Sequence, residues 1–325
     1  MTIPIPVHFI LLIVGFVLLM KGADIFVDGC SAVAERFGIP QIVIGLTIVA
    51  FGTSAPEAAI SITAGAKGSA DLAVSNVLGS NIMNVLLILG IASIITPLAL
   101  KKNTLRIEIP FVVVITAILL GLGLWGESLG RVDGIIFWIF MIAFMVYLVK
   151  ISKKEKSGLI EETEAPAKKM PIWQMILFIV LGGAGIVGGS QLTVNAATAI
   201  ASAFGMSERM IGLTIVAFGT SLPELITSVT AAIKKKADIA IGNIVGSNIF
   251  NILFVLGTTA LITPVNYSKN FIMDNIMAIV TMLLLFVLVL NKDHKLRRAG
   301  GIIMLLAYAA YFAVFIVIGW NPFAA

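Results

Sequence analysis

The sequence predicts an all-α polytopic membrane protein: ten transmembrane helices in two inverted five-helix repeats, with broken helices at a central polar site. Three observations carry this expectation. The chain of 325 residues is 59% hydrophobic and only 12% charged, against roughly 25% charged in a soluble domain, and its mean hydropathy is +1.08. The phrase IGLTIVAFGTSAPE ending at Glu57 returns as IGLTIVAFGTSLPE ending at Glu224, an offset of 167 residues. The same offset relates Gly22 to Gly189, Phe37-Gly38 to Phe204-Gly205, Thr96-Pro97 to Thr263-Pro264, and SNVLGSNIMN ending at Asn84 to GNIVGSNIFN ending at Asn251. An ungapped repeat of that length is a duplicated structural unit.

Taken in order, MTIPIPVHF has no basic segment and no small-residue cleavage site before its apolar run, so it reads as the start of the mature protein. Residues 7–28 form the first span, with Lys21 and Asp24 three apart on one face, as a local pair or snorkelling to the interface. The second span, 39–64, carries the first motif, and the third, 72–95, carries Ser80 and Asn84. Spans four (105–124) and five (132–150) read as scaffold, and residues 151–170, of mixed charge, as a solvated linker between repeats 1–150 and 171–325. The second repeat follows as spans 172–196, 207–233, 239–262, 271–290 and 299–318. Gly182, Gly183, Gly185, Gly188 and Gly189 in the sixth span would let helices approach closely, and would give a smooth surface to a helix that slides.

Five spans per half is an odd number, so the second half enters the membrane from the opposite side. Seventeen Lys and Arg residues fall on one set of alternate loops and four on the other. The positive-inside rule then puts both termini outside and the linker in the cytoplasm. The basic balance (+5) is thereby read as loop asymmetry and not as a nucleic-acid surface. Inverted repeats are a recurrent plan of secondary transporters, whose binding site lies at the repeat interface near the midplane.

Within the motif, Pro56 has no N–H and its ring collides with the carbonyl four residues back, so the helix is expected to open near Gly52; Pro223 does the same at Gly219. Carbonyls around Ala50 to Thr53 and Ala217 to Thr220 would be released, which membrane depth tolerates only in a protein-lined polar cavity. Helical spacing puts Thr53, Ser54 and Glu57 on one face, and Thr220, Ser221 and Glu224 likewise. Asn84 and Asn251 follow Ser80 and Ser247 by four residues and offer amide oxygens beside those hydroxyls. A carboxylate inside a membrane span costs at least a few kcal/mol, which marks Glu57 and Glu224 as functional. Oxygen donors alone suit hard cations such as Ca²⁺ and Na⁺. Two glutamates would balance one Ca²⁺; without a cation they are like charges in a poor solvent and would favour a proton, so H⁺ competition is expected at this central ion site.

The lone Cys30, matched by Ala197, can form neither an internal disulfide nor a cysteine metal cluster and reads as packing. His8 and His294 lie at a segment end and in a polar loop. No nucleophile–base pair occurs in the spans, so no enzyme and no cofactor are expected.

On GTSAPE, GTSLPE and the two GSN segments, the chain resembles the sodium/calcium exchanger family of the Ca²⁺/cation antiporter superfamily in its compact prokaryotic form, over nearly its whole length. The resemblance implies Na⁺/Ca²⁺ antiport by alternating access, three Na⁺ for one Ca²⁺, with spans one and six sliding over a fixed core. It implies cation ligation by Glu57 and Glu224, supported by Thr53, Ser54, Ser80, Asn84, Thr220, Ser221 and Ser247, with the carbonyls of Ala50 and Ala217 as Na⁺ ligands. Where some prokaryotic and K⁺-dependent relatives carry Asp, this chain has Asn251, which points to K⁺ independence. The expected partners are Ca²⁺, Na⁺ and the lipid bilayer, with one chain sufficient for function. The alternatives are a H⁺/Ca²⁺ or other divalent antiporter on the same fold, and a cation channel, which would normally want a ring of subunits.

Overall fold

The computed structural model describes residues 4–67, 71–158, 170–206 and 217–317. Helices dominate: α1 (Ile5–Phe37), α2 (Gln41–Thr53), α3 (Ala55–Ala66), α4 (Leu72–Ile95), α5 (Thr104–Gly126), α6 (Arg131–Gly158), α7 (Ile172–Ala203), α8 (Ala217–Thr220), α9 (Leu222–Ile233), α10 (Ala237–Ile262), α11 (Asn270–Leu288) and α12 (Arg298–Val314). Among the described residues, seven helices are long and apolar enough to cross a membrane, eight if the bent pair α2 and α3 counts as one span. α10 sits at the centre, with 94% of its apolar window inside the protein against 22% for α6. Its side chains meet protein neighbours on every face, whereas those of α6 largely lie outside the protein core.

The first and sixth spans are longer than their hydropathy predicts. α1 runs 33 residues and α7 runs 32, because polar residues past the apolar run, such as Asp28 and Glu35, find partners at the helix end and do not stop it. Gly38 stops α1: it takes the left-handed region at φ 63°, and the N–H groups of Gly38 and Ile39 both bond the Ala34 carbonyl. Gly205, at φ 83°, follows the end of α7 in the same way. The fifth span likewise continues beyond 150, to Gly158; residues 159–169, the middle of the expected linker, lie outside the described residues, as do 207–216 at the start of the expected seventh span.

α1 and α7 pack antiparallel along a seam of small residues. Gly15 faces Gly189 and Thr193, Gly22 faces Gly182, Gly185 and Ile186, and Gly29 faces Phe178 and Ile179. Backbones are in contact there: a Cβ on Gly22 would lie 2.7 Å from the Ile186 nitrogen, and one on Gly182 2.6 Å from that of Phe26. Of the sixth-span glycines, Gly188 faces open space. A second close crossing joins α2 to α10, where a Cβ on Gly45 would lie 3.0 Å from the Gly242 Cα. Cys30 is fully buried in the core, as a packing residue should be.

Four two-residue strands, which the hydropathy pattern does not reveal, clip the turns together. β1 (Leu98–Ala99) pairs antiparallel with β4 (Lys295–Leu296), and β2 (Ser128–Leu129) with β3 (Val265–Asn266). β1 and β4 gather the turns after α4 and α11 at one end of the bundle. β2 and β3 gather the turns after α5 and α10 at the other, about 35 Å away along α5 at 1.5 Å per residue.

Asp24 is not paired locally with Lys21. Its partner is Lys234, at the end of α9, whose Nζ lies 2.6 Å from Asp24 Oδ1 and from Asp28 Oδ1 and donates to the Asp24 carbonyl at 2.8 Å. Lys236 reaches Glu35 at 3.3 Å and Lys101 reaches Asp238 at 3.1 Å. These groups are partly in water, so Lys234→Gln should cost no more than about 1 kcal/mol of stability, less in high salt. Thermal unfolding in detergent at low and high NaCl measures it; a salt-independent loss of several degrees would mean a dry, buried bridge.

Candidate functional site

Each copy of the motif builds a helix N-terminus. Ser54 occupies the position before α3, with Pro56 and Glu57 in the first turn, and Ser221 the position before α9, with Pro223 and Glu224 in the same places. The 53° bend between α2 and α3 falls at Ser54 (φ −83°, ψ 5°), not at Gly52 as the proline spacing predicts. The reason is that a proline is readily accepted in the first turn of a new helix, so the chain restarts there and does not distort the old turn. Gly52 stays helical within α2 and the Ala50 carbonyl keeps a helical partner, the Ser54 N–H at 3.0 Å. The Thr53 hydroxyl also lies 3.3 Å from that carbonyl oxygen. In the second half the Ser221 N–H turns instead to the Phe218 carbonyl at 3.2 Å. Pro223 deprives the Gly219 carbonyl of its helical donor, and the Ser190 hydroxyl of α7 supplies one at 2.9 Å; the matching position in α1 is Ala23, which has none to give.

A helix N-terminus favours negative charge through its aligned peptide dipoles, which lowers the cost of keeping Glu57 and Glu224 buried, each about 1% exposed. Ser followed three residues later by Glu would ordinarily form a capping box, yet neither serine hydroxyl caps its own helix. They cross to the opposite half. Ser54 Oγ donates to Glu224 Oε1 at 2.6 Å and lies 2.9 Å from Ser247 Oγ, while Ser221 Oγ reaches Glu57 Oε1 at 3.4 Å.

The Thr53 hydroxyl donates to Asn243 Oδ1 at 2.9 Å, and Asn243 Nδ2 donates to Ser228 Oγ at 2.9 Å. Asn84 and Asn251, each opening a π-helical turn in α4 and α10, donate through Nδ2 to Asn248 Oδ1 and Asn81 Oδ1, both at 3.1 Å. Such π-turns are frequent at functional sites. Thr220, Ser80 and Ser247 are buried too; among the described residues no hydrogen bond draws Ser80 into this set. Ala217 opens α8, two residues before the Gly219 carbonyl that Ser190 holds.

Four oxygens of the motif residues are buried without a hydrogen-bond partner: Glu57 Oε2, Glu224 Oε2, Asn84 Oδ1 and Asn251 Oδ1. A buried acceptor left unpaired costs about 1–3 kcal/mol, more when charged. Two carboxylate and two amide oxygens, symmetric between the halves, are donors of the kind a hard cation takes. Among the described residues no three His, Cys, Asp or Glu side chains gather.

Asn81, Asn243 and Asn248, which bond the motif residues, were not singled out from sequence. The signal was present, since Asn76 and Asn243, and Asn81 and Asn248, are related by the same offset of 167 residues.

The sodium/calcium exchanger protein family profile matches residues 7–150 and 174–317, most of the chain in two blocks. The chain belongs to that family. It is 42% identical over 312 residues to the protein named "Putative antiporter CaxA" of Alkalimonas amylolytica, covering 93% of this chain and 96% of that one. It is 29% identical to the sodium/calcium exchanger MaX1 of Methanosarcina acetivorans, covering 95% and 99%. Among solved structures it matches the sodium-calcium exchanger NCX_Mj soaked with Na⁺ and Sr²⁺, with a TM-score of 0.83 at 29% identity, covering 95% of this chain and 99% of the other. Membership of this exchanger family makes the chain a multi-pass membrane transport protein.

Proposed function

We propose that this chain is a secondary active antiporter that exchanges Na⁺ for Ca²⁺ by alternating access, at a site built from Glu57, Glu224, Thr53, Ser54, Ser80, Asn84, Thr220, Ser221, Ser247, Asn251 and the carbonyls of Ala50 and Ala217. The observation that carries it is the set of four unpartnered buried oxygens, two of them carboxylate, in residues contributed equally by the two halves. The names of MaX1 and NCX_Mj support the same ion pair. Two negative charges in a poor solvent hold either one Ca²⁺ or a set of Na⁺ ions, but not both, which is the requirement for exchange. The antiparallel glycine seam between α1 and α7 supports sliding of those two helices over the core. Asn251 in place of Asp keeps the site at two carboxylates, and K⁺ independence is part of the proposal.

The same reading takes the architecture as ten spans in two inverted repeats, 1–150 and 171–325, joined by 151–170. Eight spans with the bent pair, plus the shorter apolar helices Leu222–Ile233 and Arg298–Val314, support that number. The excess of Lys and Arg on one set of loops supports a cytoplasmic linker and outside termini in the inner membrane, and one chain supplies the whole site. A H⁺/Ca²⁺ antiporter is the second reading, favoured by the burial of both carboxylates, each about 1% exposed, where a proton relieves the cost of an unbalanced charge.

Reconstitution decides between them. Uptake of ⁴⁵Ca²⁺ into liposomes should require an outward Na⁺ gradient and should respond to membrane potential, since three Na⁺ against one Ca²⁺ moves a net charge worth about 2.3 kcal/mol per 100 mV. Uptake driven by a H⁺ gradient without Na⁺ would transfer the protein to the proton-coupled reading, and no uptake under either gradient would reject both.

Ser54→Ala should raise the KM for Ca²⁺ about ten- to a hundredfold. The hydroxyl lost is one that holds a charged oxygen, worth about 1.5–3 kcal/mol. Initial uptake rates against Ca²⁺ concentration measure it, and an unchanged KM would remove Ser54 from the site.

A further inference from the structure

The amide groups of Asn84 and Asn251 could each turn either way, oxygen or nitrogen toward the cation. We infer that Asn81 and Asn248 are positioning residues that fix this polarity, an inference that rests on the cation-antiport reading of the site. Asn81 Nδ2 donates to the Asn248 main-chain carbonyl at 3.2 Å, and Asn248 Nδ2 donates to the Asn81 main-chain carbonyl at 3.2 Å. A main-chain carbonyl can only accept, so neither side chain can reverse without facing oxygen against oxygen. With both nitrogens committed, Asn81 Oδ1 and Asn248 Oδ1 must receive donors, and Asn251 Nδ2 and Asn84 Nδ2 fill them at 3.1 Å each. That leaves Oδ1 of Asn84 and of Asn251 as the unpartnered ends.

The polarity therefore runs in one direction, from two backbone carbonyls through two crossed asparagines to two oxygens. Each half sets the amide of the other. Asn81 and Asn248 are about 2% and 1% exposed, so water cannot substitute for either. An Asn ligand free to turn would spend part of its time presenting Nδ2, a positive end, to a cation.

The competing view is that the asparagines merely join α4 to α10, as interhelical amides often do in membranes. Joining predicts lost stability alone; positioning predicts lost ion affinity and altered ion preference. The test measures thermal shifts of the purified full-length protein with Ca²⁺, Sr²⁺ or Na⁺, and transport KM and kcat in liposomes, for Asn81→Leu, Asn248→Leu and the near-isosteric Asn81→Asp. Asp keeps the acceptor for Asn251 but not the donor to Asn248, and guards against a leucine variant that fails to fold. Asn76→Leu, which removes a different interhelical amide bonded to Ser61, is the control for stability.

At least a tenfold rise in Ca²⁺ KM, a threefold or greater change in Ca²⁺ against Sr²⁺ preference, and a kcat reduced less than threefold are expected in the 81 and 248 variants, with Asn76→Leu keeping wild-type KM and preference. Wild-type KM and preference in folded 81 and 248 variants would overturn the positioning role while leaving antiport intact. No cation-dependent shift in the wild-type protein would overturn the antiport reading and this inference with it.

Discussion

Glu57→Gln and Glu224→Gln should each reduce Na⁺-driven Ca²⁺ uptake by about two to three orders of magnitude. Glutamine preserves the shape and one oxygen but removes a unit of charge, so a Ca²⁺ in the site would keep one positive charge unbalanced and out of water. Breaking a buried charge pair by removing one partner costs about 3–5 kcal/mol, and every 1.4 kcal/mol is tenfold in affinity. The crossed serines make the two losses similar, because each glutamate has one oxygen held by the opposite half and one left unpartnered. The measurement is ⁴⁵Ca²⁺ uptake by equal amounts of folded protein. Uptake within threefold of wild type in either variant would mean that the buried carboxylate of that half does not hold the ion.

The second large effect is expected at the seam between α1 and α7. Gly22→Val should cut transport tenfold or more and lower thermal stability, since its Cβ would lie 2.7 Å from the Ile186 nitrogen and 2.9 Å from the Gly182 carbonyl oxygen. Those neighbours are backbone and cannot swing aside, so the helices must separate. Overpacking of this kind costs about 1–3 kcal/mol. Gly188→Val, on the same helix as Gly182 but facing open space, should leave both quantities near wild type. Equal effects at positions 22 and 188 would show that helix propensity, and not the seam, sets the loss.

Much of the site was legible in the sequence because the duplication states it twice. Apolar runs long enough for a bilayer, a proline that forbids a continuous helix, and a carboxylate one residue beyond it are all local facts, and local chemistry fixes their consequence. The boundaries of α1 and α7 were less legible, because Asp24, Asp28 and Glu35 look like the end of a span until Lys234 and Lys236 are placed against them.

By itself the sequence determined which side chains are present twice, that the chain must break beside each glutamate, and that only oxygen ligands are offered. Tertiary structure alone decided where those oxygens point. Ser54 leaves its own helix for Glu224, 170 residues away, and Asn81 and Asn248, 167 residues apart, trade donors across the halves. Periodicity records which face of a helix is buried, but a hydroxyl or an amide can serve any acceptor within about 3 Å. Which acceptor it meets is settled only when helices from the two halves pack together and exclude the water that would otherwise satisfy it.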